Sequence, residues 1–182
     1  MDVTCTAEKD LRDEQAREIL ELQHAAFPRT EEFRTQRWWH TPAADDDLYF
    51  TAHMDGRCVA SIRVLSRRIA TPNGEVSVAG VGNVCSHPDA RGKGAATACM
   101  KKVLLHIASA ADFGLLFCGA DRRGFYTRFG WCEVNNDLWY LDEQGARRRA
   151  DPNSHGCIMV FPGRRGMEDW PEGPIDLNGP DW

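Results

Sequence analysis

The residues best suited to chemistry lie in one short basic stretch, Arg91-Gly92-Lys93-Gly94, followed by Ala95 and Ala96. Two glycines let the backbone turn tightly and present N–H groups with no side chain in the way. From Ala95, apolar residues recur at 96, 99, 100, 103, 104 and 107, one face of a helix. The first N–H groups of a helix lack intrahelical partners, and the dipole there is positive. Arg91 and Lys93 add formal charge. Such a stretch can capture a phosphate or pyrophosphate. An ordinary strand-to-helix turn with solvated basic residues fits the loop alone equally well.

A second stretch, Arg123-Gly124-Phe125-Tyr126-Thr127-Arg128-Phe129-Gly130-Trp131, carries a phenol. An unperturbed phenol, with a pKa of about 10, stays protonated at neutral pH and can give a proton to a leaving group. Tyr126 also reads as an anchor between helix and sheet. Cys85 lies near the basic loop, but a packed strand cysteine explains it better than a nucleophile does. The seven cysteines form no C-x-x-C pair and sit mostly in apolar runs, the usage of reduced thiols in a cytoplasmic protein. The six histidines are scattered, with no H-x-x-x-H spacing, so no metal site is expected.

These residues need elements to hold them. Val76, Val78, Val81 and Val84 mark a strand whose alternation slips at Gly80 and Gly82, which suggests a bulge. Pro88 ends it. Two other phosphate motifs fail. The nucleoside-triphosphate loop needs Gly where His87 stands and Ser or Thr where Gly94 stands, and G-x-G-x-x-G meets Cys85 in its last place. Upstream, Val3 to Thr6 reads as a strand. Asp10 is placed to cap a helix through Leu22 that stops near Phe27, before Pro28. Thr30 is placed to cap a short helix from Glu31 to Trp39. Asp47 to Met54 and Cys58 to Ile69 read as antiparallel strands about the turn at Asp55-Gly56, and Pro72-Asn73-Gly74 is a further turn. Gly114 is placed to close the long helix before a strand at Leu115 to Cys118. Leu138 to Leu141 and Cys157 to Phe161 read as a hairpin, with Arg147 to Arg149 in its solvated turn. The segment 163–182, rich in Gly and Pro, carries two tryptophans, which usually dock.

At 182 residues, one domain is expected over 1–182. No apolar run approaches a membrane span, and the first residues show no basic or apolar leader. The net charge of −5 argues against a nucleic-acid partner and suits a cationic small substrate.

Arg91, Gly94 and Ala96 read as R-x-x-G-x-A, after a bulged strand and at a helix start. Here the chain resembles the GNAT superfamily of acyl-CoA-dependent N-acyltransferases. The stretch around Tyr126 is similar to the family's second signature, F-Y-x-x-x-G-F, with Trp131 in the last aromatic place. The resemblance implies an α/β (α+β) fold in one GNAT-like domain, with a mixed central sheet, a bulged and splayed strand pair, and flanking helices. It implies acetyl-CoA as co-substrate and no metal. It places the thioester carbonyl near Val84, Cys85 and Ser86, the pyrophosphate on Arg91 to Ala96, and the general acid at Tyr126. It puts Glu32, Trp39 and Gly82 on the acceptor side.

The ending, Phe161-Pro162, Trp170-Pro171, Gly173 and Ile175 to Pro180, resembles rhizobial nodulation N-acyltransferases. Arg91-Gly92, Phe113 to Leu116, Tyr126, Gly130-Trp131 and the terminal Trp resemble aminoglycoside 2′-N-acetyltransferases, with the kasugamycin branch a plausible home. Both families acylate a 2-amino sugar. The resemblance thus implies an amino-sugar acceptor and antibiotic modification, with the 163–182 tail packed near the acceptor. Gly82 stands where those relatives carry a glutamate, so a water chain, a backbone carbonyl, Glu32, Asp181 or the Trp182 carboxylate is left as base. Acetylation of a protein N-terminus, a lysine or a polyamine is the competing reading, as is a non-catalytic acyl-CoA sensor. Relatives are often homodimers; no residue pattern here marks an interface.

Overall fold

A computed structural model describes residues 1–151 and 155–182. In chain order come β1 (Asp2–Ala7), α1 (Asp13–Ala26), β2 (Leu48–Met54), β3 (Arg57–Thr71), β4 (Gly74–Ser86), α2 (Ala95–Ala110) and β5 (Phe113–Cys118). Then follow α3 (Arg123–Thr127), β6 (Cys132–Val134), β7 (Leu138–Leu141), β8 (Arg147–Arg149), β9 (Cys157–Pro162) and β10 (Ile175–Asp176). Two compact units emerge, one of residues 1–65 and 81–103, the other of 66–80 and 104–182.

In the first unit, β1 pairs antiparallel with β2 from Asp2↔His53 to Ala7↔Leu48, and β2 with β3 from Leu48↔Val64 to Met54↔Arg57. The register slips between Ala52 and His53. α1 begins later than Asp10 suggests. Glu8 to Asp10 form a 3-10 turn of their own, and Arg12 becomes the cap, its N–H donating to Gln15 Oε1 at 3.1 Å. The helix ends as expected, with the Phe27 N–H on the Gln23 carbonyl at 2.8 Å. The second expected helix is only a 3-10 turn at Glu31–Arg34, and the Thr30 side chain makes no cap bond. Gln36 instead donates to the Trp38 carbonyl at 3.1 Å and shapes an irregular loop. Behind it, buried Arg63 pairs with buried Asp47 and donates to the carbonyls of Thr41 (2.7 Å) and Pro42 (2.9 Å). A buried guanidinium needs such partners on every side.

The second unit holds a mixed sheet. β4 runs parallel to β5, with Val78↔Phe113 and Gly80↔Leu115. β9 pairs antiparallel with β5, from Phe113↔Pro162 to Cys118↔Cys157, and then with β6. On the other flank, β10 joins β3 antiparallel at Asp176↔Ala70 and β7 parallel at Ile175↔Leu138. The apolar alternation of these strands buries Ile69, Val76, Val78, Phe113, Leu115, Leu138 and Val160 in one core. Two expectations are corrected. The partner of β7 is β8, the arginine run itself, through Trp139↔Arg149 and Leu141↔Arg147, while Cys157 to Pro162 joins β5 and β6. The arginines sit in a strand because carboxylates meet them: Arg147 pairs Asp176 at 2.7 Å, Arg148 pairs Asp142 at 2.7 Å, and Arg149 pairs Asp137.

Gly114 lies inside β5 and does not close α2, which ends at Ala110. Its glycine is a packing requirement. A Cβ there would lie 2.8 Å from Ile107 Cδ1, 2.9 Å from the Trp131 ring and 3.3 Å from Phe161 Cβ. Gly114→Ala is therefore expected to overpack the core and cost about 1–3 kcal/mol, read as a lower urea midpoint with an unchanged m value.

Candidate active site

The basic loop forms the turn its glycines require. Gly92 and Gly94 have φ of +77° and +85°, the left-handed region. Arg91, Gly92, Lys93 and Gly94 are exposed. The Ala98 N–H donates to the Gly94 carbonyl at 2.9 Å, which marks the first bond of α2. The N–H groups of Ala95 and Ala96 thus stand ahead of the helical ladder. Those of Arg91 and Lys93 are engaged within the turn, on the carbonyls of Pro88 and Ala90, each at 3.3 Å. A phosphate on this loop would meet the Gly92, Gly94, Ala95 and Ala96 donors and the two basic side chains. An added Cβ at Gly92 or Gly94 would touch nothing within 4 Å, so the glycines serve backbone conformation and not packing.

The strand before the loop kinks one residue later than its glycines suggest. Asn83 takes φ +51°, a conformation that Asn tolerates better than most residues. Its side-chain amide donates to the Arg37 carbonyl at 2.8 Å, and Gln23 donates to the same carbonyl at 3.4 Å. The Arg37 guanidinium pairs with Glu8. Strand β4 thereby holds the loop that carries Trp38 and Trp39. Trp39 is 47% exposed, edge-on to Phe33 at 6.3 Å. Glu32 is exposed on the short turn before it. Cys85 is buried among strand residues, and burial pushes its thiol far above the usual range, which disfavours the thiolate. Its backbone, with that of Gly82, Val84 and Ser86, continues along β4 toward the loop.

In the second unit, Tyr126 sits in α3, 7% exposed. Its ring meets Phe125 at 5.1 Å and Trp131 at 6.2 Å, both edge to face, and Trp131 packs on Phe161 at 5.6 Å. Burial, and secondarily the Cys118 thiol, push the Tyr126 phenol above its ordinary pKa; Arg122 opposes weakly. The phenol stays protonated through the physiological range.

The tail docks, as its tryptophans suggest. Trp170 lies edge-on to Phe113 at 5.0 Å and donates to Asn136 at 2.8 Å. Trp182 packs on Phe117 at 5.5 Å, with the Arg67 guanidinium 5.1 Å above its ring. Asp181 is nearly buried and pairs with His155 Nε2 at 3.2 Å. His155 lies 5.0 Å from Tyr140 and lines a cavity of about 550 Å³ shared with Glu133, Asn136, Asp137, Arg149 and Asp151. Sequence reasoning missed His155, because its partners lie far along the chain, and Asn83, although Asn after glycine is a recognisable left-handed signal. Among the described residues no group of three or more His, Cys, Asp or Glu gathers to hold a metal. No helix among them is long and apolar enough to cross a membrane.

Comparison with known proteins places this geometry. The family described as Acetyltransferase (GNAT) domain matches residues 8–134. Among solved structures, an acyl-CoA N-acyltransferase from Pseudomonas aeruginosa is 20% identical, with a TM-score of 0.61 over 88% of this chain and 98% of its own. The Escherichia coli GNAT protein YhbS, solved with CoA, is 13% identical, with a TM-score of 0.64 over 97% and 89% of the two chains. A Brucella melitensis GNAT acetyltransferase, solved with acetyl-CoA, is 21% identical, with a TM-score of 0.51 over 72% and 83%. Among curated proteins none matches. The family match spans both the glycine turn at 91–96 and the tyrosine stretch at 123–131, and the chain belongs to the GNAT acetyltransferase family.

Proposed function

We propose that the chain transfers an acetyl group from acetyl-CoA to the primary amine of a 2-amino sugar. The observation that carries the transfer is the exposed left-handed Gly92–Gly94 turn at the start of α2. It offers a built cradle for a pyrophosphate. Acetyl-CoA supplies the activated acyl group and a thiolate leaving group. The N–H groups of Val84 and Cys85 polarise the thioester carbonyl. The neutral amine attacks that carbon directly, since an amine is already a good nucleophile and needs mainly positioning. Tyr126 gives its proton to the departing sulfur. Asp181, held by His155, and exposed Glu32 are the carboxylates proposed to receive the amine proton.

The amino-sugar acceptor is supported by the sequence resemblance at 161–180 and by exposed Trp39, whose face suits the C–H face of a sugar ring. An aminoglycoside such as kasugamycin, acetylated at its 2′ amine, is the proposed substrate. The test is CoA thiol release with kasugamycin, larger aminoglycosides, glucosamine oligomers, spermidine and a lysine peptide. Turnover confined to 2-amino sugars supports the proposal. Turnover only with spermidine or the peptide overturns the acceptor and leaves the transfer standing.

Tyr126→Phe is expected to lower kcat by about 10²-fold with little change in KM. Because the phenol is raised, its acid form persists as pH climbs. The wild-type kcat should therefore show no fall due to Tyr126 up to about pH 10, in a pH profile of single-turnover rates. Gly94→Ala strains a left-handed position by about 1–2 kcal/mol. It should weaken CoA binding by roughly tenfold in calorimetric titration while the fold persists.

A further inference from the structure

Cys118 and Cys157 stand directly opposite each other, as the last register pair of β5 and β9. Opposed residues of antiparallel strands have Cα atoms about 4.5–5.5 Å apart. That lies inside the window of about 4.4–6.8 Å that a disulfide needs. Burial, with the negative charge of Glu133 beside it, holds both thiols above the ordinary thiol range. Arg123 holds that carboxylate at 2.9 Å. Gly156, with φ of +67°, brings the chain into β9 hard against Cys118: a Cβ at Gly156 would lie 2.3 Å from the Cys118 carbonyl oxygen. Cys118 is buried, and Cys157 is half-buried beside the cavity that Glu133 and His155 line. Both are free thiols, and neither has a part in the proposed transfer.

We propose that Cys118 and Cys157 form an oxidation site, a dithiol that low-molecular-weight disulfides convert to a cross-strand disulfide. Cys157, the more accessible, loses its proton and attacks one sulfur of the incoming disulfide. The other half leaves as a thiolate and takes up a proton. Cys118 then loses its proton and attacks the Cys157 sulfur, and the second half leaves as a thiol. Two protein thiols lose two electrons, and one small disulfide becomes two small thiols. The link encloses residues 119–156 in a covalent loop, which contains α3 and therefore Tyr126. Burial and, after it, the Glu133 charge restrain the first step, because both favour the protonated Cys157.

The experiment incubates the native protein with graded ratios of oxidised to reduced glutathione, traps remaining thiols with an alkylating reagent, and maps tryptic peptides by mass. Cys118 and Cys157 fall in different peptides, ending at Arg122 and Arg164. The expected result is one linked pair of these peptides, lighter by two hydrogens than their sum, together with glutathione on exposed Cys5 and Cys132. Glu133→Gln should speed formation of the link several-fold. Cys118→Ser should leave Cys157 as a mixed disulfide with glutathione; if that variant does not fold, the wild-type map decides alone. Cys118 and Cys157 remaining thiols once Cys5 and Cys132 are fully capped would overturn the proposal. So would glutathione on Cys157 beside an unreacted Cys118, or either cysteine linked to Cys5 or Cys132.

Discussion

Close approach at Gly114 governs the second unit. Strand β5 is paired on both edges, so it cannot shift sideways, and the atoms over Gly114 leave room for no side chain. Ile107 presses from α2 and Trp131 from the chain after α3. The Trp131 ring then wedges between Phe161 and Tyr126. An interior packed at crystal-like density transmits position through such contacts. The place of the proposed proton donor is therefore set by a missing methyl group on a strand that carries no chemistry.

The first unit solves a different problem with charge and backbone. Buried Arg63 is satisfied by Asp47 and by two carbonyls of an irregular loop. The next stretch of that loop is held through the Arg37 carbonyl by Asn83 and Gln23. Each of those donors would be costly to leave unpaired in the interior. The loop has no regular hydrogen-bond ladder of its own, and its exposed Trp39 rests against Phe33 and His40.

Much of this was legible in the residues. The glycine turn at 92–94, the C-terminal stops of α1 and β4, and the strands from β1 to β5 follow from local signals: turn residues, proline stops and apolar alternation. The tyrosine stretch carried its own signature. What was not legible depends on partners far along the chain. The arginines of β8 look like a solvated turn until Asp137, Asp142 and Asp176 are brought to them. Gly114 looks like a helix stop because a cap and a close approach both select glycine, and only the second applies. Thr30 and Asp10 have the right type for caps, but a 3-10 turn took each position's place in the chain. The pairing of His155 with Asp181, and of Cys118 with Cys157, needed the strand register.

The narrow strand β10 has a consequence for how the chain is built. Its two residues lie between β3 and the β7–β8 hairpin, antiparallel to one and parallel to the other. A chain emerging from the ribosome makes β7 and β8 well before Ile175 and Asp176. Until those residues arrive, the hairpin has no sheet to join, and a lone two-stranded hairpin is only marginally stable. Vectorial synthesis thus leaves this flank unpaired until β10 is made, a short interval in which open strand edges can meet other chains or a chaperone.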